Sequence, residues 1–338
     1  MSDDPAAVIA ATEKWFVRHG LPYFVDDERR VVRRGLTPAR LAFVGLLAVG
    51  VGAGAGILVG WLTSDVTNGL VVGLWSAAIS LGLYAATTLR VLPVARWAGA
   101  RTFRSLGLLF PLITRALPLL LLFVTFLFIN AEVWQVSASL DGGVLWIAVL
   151  LFAIIAVAFL LVRLPEELDH VDDAMRGSRL VASCKGTPLE SVAPSVVDEH
   201  SEVIDPADHT EVRGFQKGNL VLVLLIAQSV QVLLLSVSMF FFFVIFGSVV
   251  MQRSVVESWI GGEATVLIPG LPGLTLELTQ VSVFLAAFSG LYFTVYAVTD
   301  ELYRGQFFTS ITRELERAIG VRAVYHALKT HRGSADVD

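Results

Sequence analysis

Six ionisable side chains crowd one short stretch of the chain: Glu166, Glu167, Asp169, His170, Asp172 and Asp173. Residues three and four apart are neighbours on a helix surface. If a helix continues past Pro165, it sets Glu166, Asp169, His170 and Asp173 on one face. Glu167-x-x-His170 also has the spacing found in carboxylate-bridged metal sites. Such sites use a second copy of the motif, and the chain has none. The stretch therefore reads as a solvated acidic face, with no metal and no cofactor implied. Cys184 is the single cysteine, so neither an internal disulfide nor a Cys/His zinc spacing is available. No nucleophile elbow, phosphate loop, zinc-protease motif or dinucleotide fingerprint is present, and the chain reads as a non-enzyme.

The elements that would carry any such chemistry are set by composition. Of 338 residues 55% are hydrophobic and 16% charged, against about 25% charged in soluble domains. Mean hydropathy is +0.71. Together these values exclude a disordered chain, a secreted disulfide scaffold and an ordinary soluble enzyme. The net charge of −5 gives no support to nucleic-acid binding. What remains is an all-α, polytopic transmembrane helix bundle.

A hydrocarbon core about 30 Å thick needs about 20 apolar residues per helix. Six segments qualify: 41–62, 69–89, 116–134, 144–163, 219–250 and 281–299. Pro111, Arg115 and Pro118 obscure the start of the third. The connections support this count. Twenty-four of the 25 Lys and Arg lie in 1–40, 90–115, 163–218 and 300–338, leaving Arg253 alone in 251–280. The positive-inside rule makes the basic side cytoplasmic, with both termini inside and the plasma membrane as location. The organisation is then an N-tail at 1–40, spans one to four at 41–163, and an acidic cytoplasmic loop at 164–218. Spans five and six follow at 219–299, around an outer loop at 251–280, and a C-terminal tail occupies 300–338.

Within the N-tail, Pro5 opens a short helix that Gly20 and Pro22 close near residue 18. Its Val8, Ile9, Trp15 and Phe16 stripe could pack on the protein or lie on the inner leaflet. The apolar segment Gly20–Val25 is expected to dock between helices. Arg29, Arg30, Arg33 and Arg34 then sit just before the first span, where they set topology and could contact anionic lipid. The loop from 174 to 217 reads as flexible or loosely folded. The tail from Asp300 to Lys329 has helical periodicity at Phe308, Ile311, Leu315 and Ile319, with a break expected at Gly320.

Inside the membrane, Gly52, Gly56 and Gly60 form one row on span one, and Gly69 and Gly73 answer on span two. Small residues four apart let helix backbones approach closely. The expected partners are spans one and two of one chain, with a homo-oligomer as the alternative. Ser80, Tyr84, Gln228, Gln231 and Tyr292 are uncharged polar residues within spans. They would either glue helices together or line a small polar cavity. No Asp, Glu, Lys or His lies near the middle of any span, which weighs against an ion-coupled pump.

In the outer loop, the runs 264–268 and 274–278 flank Pro269-Gly270-Leu271-Pro272-Gly273. Two β-prone runs around a Pro/Gly turn predict a small β-hairpin-like cap, with Trp259 anchoring it at the interface. A re-entrant loop is the competing reading. The fifth apolar run, 32 residues over 219–250, exceeds the core thickness. It should project outside or bend near Gly247.

Two segments resemble uncharacterised multi-pass integral membrane proteins of actinomycetes. They are Trp15-Phe16-Val17-Arg18-His19-Gly20-Leu21-Pro22-Tyr23-Phe24-Val25 and the stretch from Tyr292 to Phe308, with its Asp300-Glu301-x-Tyr303-Arg304-x-x-Phe307-Phe308 core. That resemblance implies no activity and carries no residue roles. The functional expectation is a structural or signalling component whose tails bind a cytoplasmic protein partner. The alternative is a channel or transporter for a small solute.

Overall fold

Thr37-Pro38 starts the first long helix, α3 (Pro38–Thr63), and proline suits a first helical turn because its missing N–H has no partner there anyway. Ser64, at φ 53°, stops it in the left-handed region. Asp65 then caps α4 (Val66–Thr88) by accepting the Thr67 N–H at 2.8 Å. Three more long helices follow: α7 (Val144–Asp172), α10 (Phe215–Val250) and α12 (Leu276–Thr299). This computed structural model describes residues 5–104, 122, 124–140, 143–172, 178–199, 214–299 and 316–330. Among these residues, five helices are long and apolar enough to cross a membrane. The chain is a multi-pass, all-α membrane protein.

The third expected span, 116–134, lies largely outside the described residues, and its described end differs from expectation. A helix stops at Phe128, Asn130 accepts the Glu132 N–H at 2.8 Å, and a separate helix α6 (Ala131–Ser139) begins. Asn130 is a favoured N-cap residue, and it divides what hydropathy read as one span followed by a loop.

The polar segments gather at one end of the bundle and form a head. It contains α1 (Pro5–Arg18), a 3₁₀ turn (Pro22–Phe24), α2 (Asp26–Gly35) and α5 (Val91–Arg104). The short helices α8 (Ser178–Ser183) and α9 (Ala193–Glu199) belong to it, as does α13, residues 316–330. The flexible reading of 174–217 is corrected over its described part, because Leu180, Cys184, Leu189, Ala193 and Val196 are all buried. Their spacing falls across two short helices and a turn, which no single period reveals. Gly320 does not break α13; it is buried in mid-helix among Ile319, Val321 and Val324. Phe308, Ile311 and Leu315 lie outside the described residues.

The opposite end is closed by α6, α11 (Arg253–Ile260) and the loop leading into α12. The expected hairpin is reduced to one antiparallel bridge, Val266 to Thr275, with the Leu267 N–H on the Leu274 carbonyl at 3.0 Å. The second β-prone run is mostly helix. Thr275 accepts the Leu278 N–H on its hydroxyl at 3.1 Å, and α12 starts there. Both Glu277 carboxylate oxygens hold the Thr265 N–H, at 3.2 and 3.1 Å. The alternation that read as a strand is the capped first turn of a helix. Trp259 packs edge-on against Trp134 at 6.1 Å, while Leu267, Ile268 and Leu271 stay exposed at the loop tip. The α10 helix does not stop at Gly247, which packs against Leu278 and Phe128 as the helix continues to Val250.

Candidate functional site

The head is held by contacts between segments far apart in sequence. Asn219, fully buried in the first turns of α10, accepts the Tyr23 N–H at 2.9 Å and donates to the Gly20 carbonyl at 2.9 Å. The Tyr23 hydroxyl donates to the Leu89 carbonyl at 2.5 Å, and burial pushes its pKa up to about 12. The C-terminal helix closes over α1. The Tyr325 hydroxyl donates to Glu13 at 2.7 Å, its ring meets Phe16 edge-on at 5.7 Å, and Lys329 reaches Asp26 at 2.5 Å. Partial burial works to raise the Asp26 pKa, but the Lys329 hydrogen bond and the charges of Lys329 and Arg29 outweigh it, so the net shift is downward. The Tyr325 hydroxyl is raised by burial and then by the Glu13 carboxylate. Arg317 spans to the Lys185 carbonyl and lies over the Trp15 ring. Burial pushes the Cys184 thiol up to about 11.

Of the four expected lipid-contacting arginines, Arg29 and Arg30 form ion pairs within α2, to Asp26 and Asp27. Arg33 and Arg34 are exposed beside α3. Phe16 and Thr12 face inward and Val8, Ile9 and Trp15 pack on the core, so the α1 stripe is a protein-packing face.

Between α3 and α4 the glycine rows meet backbone to backbone. A β-carbon at Gly56 would lie 2.8 Å from the Gly69 carbonyl oxygen, and one at Gly52 would lie 2.7 Å from that of Gly73. Gly60 sits at the end of this seam, near Asp65 and Gly69.

The five residues proposed for a polar cavity lie on three helices, Ser80 and Tyr84 on α4, Gln228 and Gln231 on α10, and Tyr292 on α12. Ser80 bonds back to the Ser76 carbonyl at 2.8 Å, and the Tyr84 hydroxyl donates to the Gly35 carbonyl at 2.7 Å. Tyr84 ties α4 to α2, whereas the Ser80 bond stays within α4. Tyr292 stacks on Tyr296 at 6.2 Å. Gln228 and Gln231 are buried on α10, and neither amide atom of Gln231 has a hydrogen-bond partner.

Two concavities lie along the described spans, one of about 530 Å³ on the α3–α4 seam and a larger one elsewhere. A groove of about 570 Å³ opens sideways between α7 and α10, with α12 as its floor. Trp146 and Phe152 wall it on one side and Phe240 on the other. Small residues make the space: Ala286, Ala287 and Gly290 leave the floor low. At Gly290 a β-carbon would lie 2.2 Å from the Ser236 Oγ, so a larger residue would require that hydroxyl to turn away. Its signal in the sequence is the Ala286-x-x-x-Gly290-x-x-x-Thr294 row on span six, a small-residue pattern like that of span one. No protein-family model, curated protein or solved structure matches this chain.

Proposed function

We propose that the protein is a non-catalytic component of the plasma membrane, with six spans and both termini in the cytoplasm. Its head presents a built surface for a cytoplasmic protein partner. Arg33 and Arg34 meet anionic lipid at its rim. The observation that carries this reading is the closure of the tails on one another, through Tyr325 to Glu13 and Lys329 to Asp26. Tails folded in this way form a defined surface rather than loose chain. The test is site-specific photocrosslinking from Ser195, exposed on α9 of the head, in intact cells. One discrete protein adduct is expected, and it should disappear when Tyr325→Ala and Lys329→Ala open the head. Adducts to lipid alone would remove the protein partner from the proposal.

The second reading is a channel or transporter for a small solute. It is favoured by Gln231, whose amide is buried within a span with no partner at either atom. Its discriminating measurement is solute flux into liposomes holding the purified protein. Flux that Gln231→Leu abolishes would place this reading first.

A further inference from the structure

The groove between α7 and α10 has a depth, an axial position and a polar end that together specify an occupant. Gly290 of α12 lies between Val232 and Ser236 of α10, which fixes the antiparallel register of the two helices. In that register Ser229 and Thr294 mark the end of the groove nearer the head, and Phe240 and Val283 mark the other. From Ser229 to Phe240 is about 16 Å at 1.5 Å per residue, and Val283 to Thr294 is about the same. Half of a hydrocarbon core about 30 Å thick is about 15 Å. Along α7 the lining runs from Trp146 to Leu160, about 21 Å, so the groove reaches from the head-side ends of these spans past the middle of the core and is long enough for one acyl chain.

The hydroxyls point the same way. Ser238, Ser282, Ser289 and Thr294 each donate to the carbonyl four residues back in their own helix. Ser229 and Ser236, which line the groove, make no such bond. A hydroxyl in hydrocarbon gains by finding an acceptor. Ser229 lies at the head-side end of the groove, where the ester carbonyls of a lipid whose chain lies along it would sit.

We propose that this groove holds one acyl chain of a glycerophospholipid from the head-side leaflet. The chain lies along the Ala286–Gly290 floor, and its ester carbonyl accepts from Ser229. The site goes beyond the scaffold reading and does not depend on it. A retained lipid with no protein adduct at the head would leave this site standing and that reading fallen.

The experiment uses the full chain in nanodiscs of mixed phosphatidylglycerol and phosphatidylcholine. It is followed by detergent extraction and native mass spectrometry. Wild type should retain one phospholipid per chain. Ala153→Trp fills the groove from the α7 wall and Ala287→Phe from the floor, and each should lower retention at least tenfold. Ile154→Trp, on an exposed neighbouring position outside the lining, should not. Ser229→Ala should weaken retention severalfold. Equal retention in Ala153→Trp and Ile154→Trp would overturn the site. So would a lipid-free dimer that Ala153→Trp splits, because a second copy would then cover the groove. In the wild type itself, a phospholipid carrying an acyl-chain diazirine should label peptides spanning 146–160, 229–240 and 283–294. Labelling confined to other spans refutes the proposal, whatever the variants do.

Discussion

The Asn219 side chain accepts the backbone N–H of Tyr23 at 2.9 Å across 196 positions of sequence. The same amide donates to Gly20, so one buried side chain fixes the N-terminal segment to the longest helix.

Asn219→Ala should therefore strand a buried N–H and a buried carbonyl. Each stranded group costs about 1–3 kcal/mol. A lowered thermal midpoint in detergent and faster proteolysis between α1 and α2 are the expected results. Wild-type resistance to protease in the variant would mean that the clamp contributes nothing to docking.

Gly56→Leu should destabilise the α3–α4 pair, because its β-carbon has a carbonyl 2.8 Å away. Gly54→Leu is the matched control, since a β-carbon there meets nothing within 4 Å. Thermal stability in detergent should fall for Gly56→Leu and stay near wild type for Gly54→Leu. Equal midpoints would refute the close-approach seam.

Cys184 should be silent toward iodoacetamide at pH 8 until the protein is denatured, since it is fully buried. Burial raises its pKa from 9.0 to about 11, so the folded state holds this proton more tightly than the unfolded state. Its contribution to stability is fully present below pH 9 and is lost as the pH rises through 11. Rapid alkylation of the native protein would show that α8 and α9 do not cover it.

Because the native thiol is silent, introduced cysteines can report orientation. Ser64→Cys should react with an impermeant maleimide on intact cells, and Ser191→Cys only after lysis. The reverse pattern would invert the proposed topology.

The span boundaries that hydropathy defined well are those where a long apolar run ends at Pro, Gly or charge. Both α3 and α7 are examples, and the glycine seam was legible because its two rows recur at a spacing of four. Asn130 was missed because a single N-cap inside an apolar run barely changes hydropathy. The loop around Cys184 was missed because its buried residues are diluted among serines and acids. The assembly of the head was illegible for a different reason. Asn219, Tyr325 and Lys329 find partners in the first 30 residues of the chain. No local pattern encodes pairing over such separations. The groove was half visible, since span six carries the small residues, but their neighbours depend on which helix faces them.

At 36 residues the α10 helix is about 54 Å long at 1.5 Å per residue. Its first turns are gripped through Gln216, on Arg322, and through Asn219. Its last turns wedge Gly247 against Leu278 and Phe128 beneath the opposite cap. It has no internal proline to act as a joint. Such a rod is a lever: a tilt of about 5° pivoting at the head would swing its far end by about 5 Å over that length. A change in the angle at which the head grips α10 would therefore be read out as a displacement of the opposite cap.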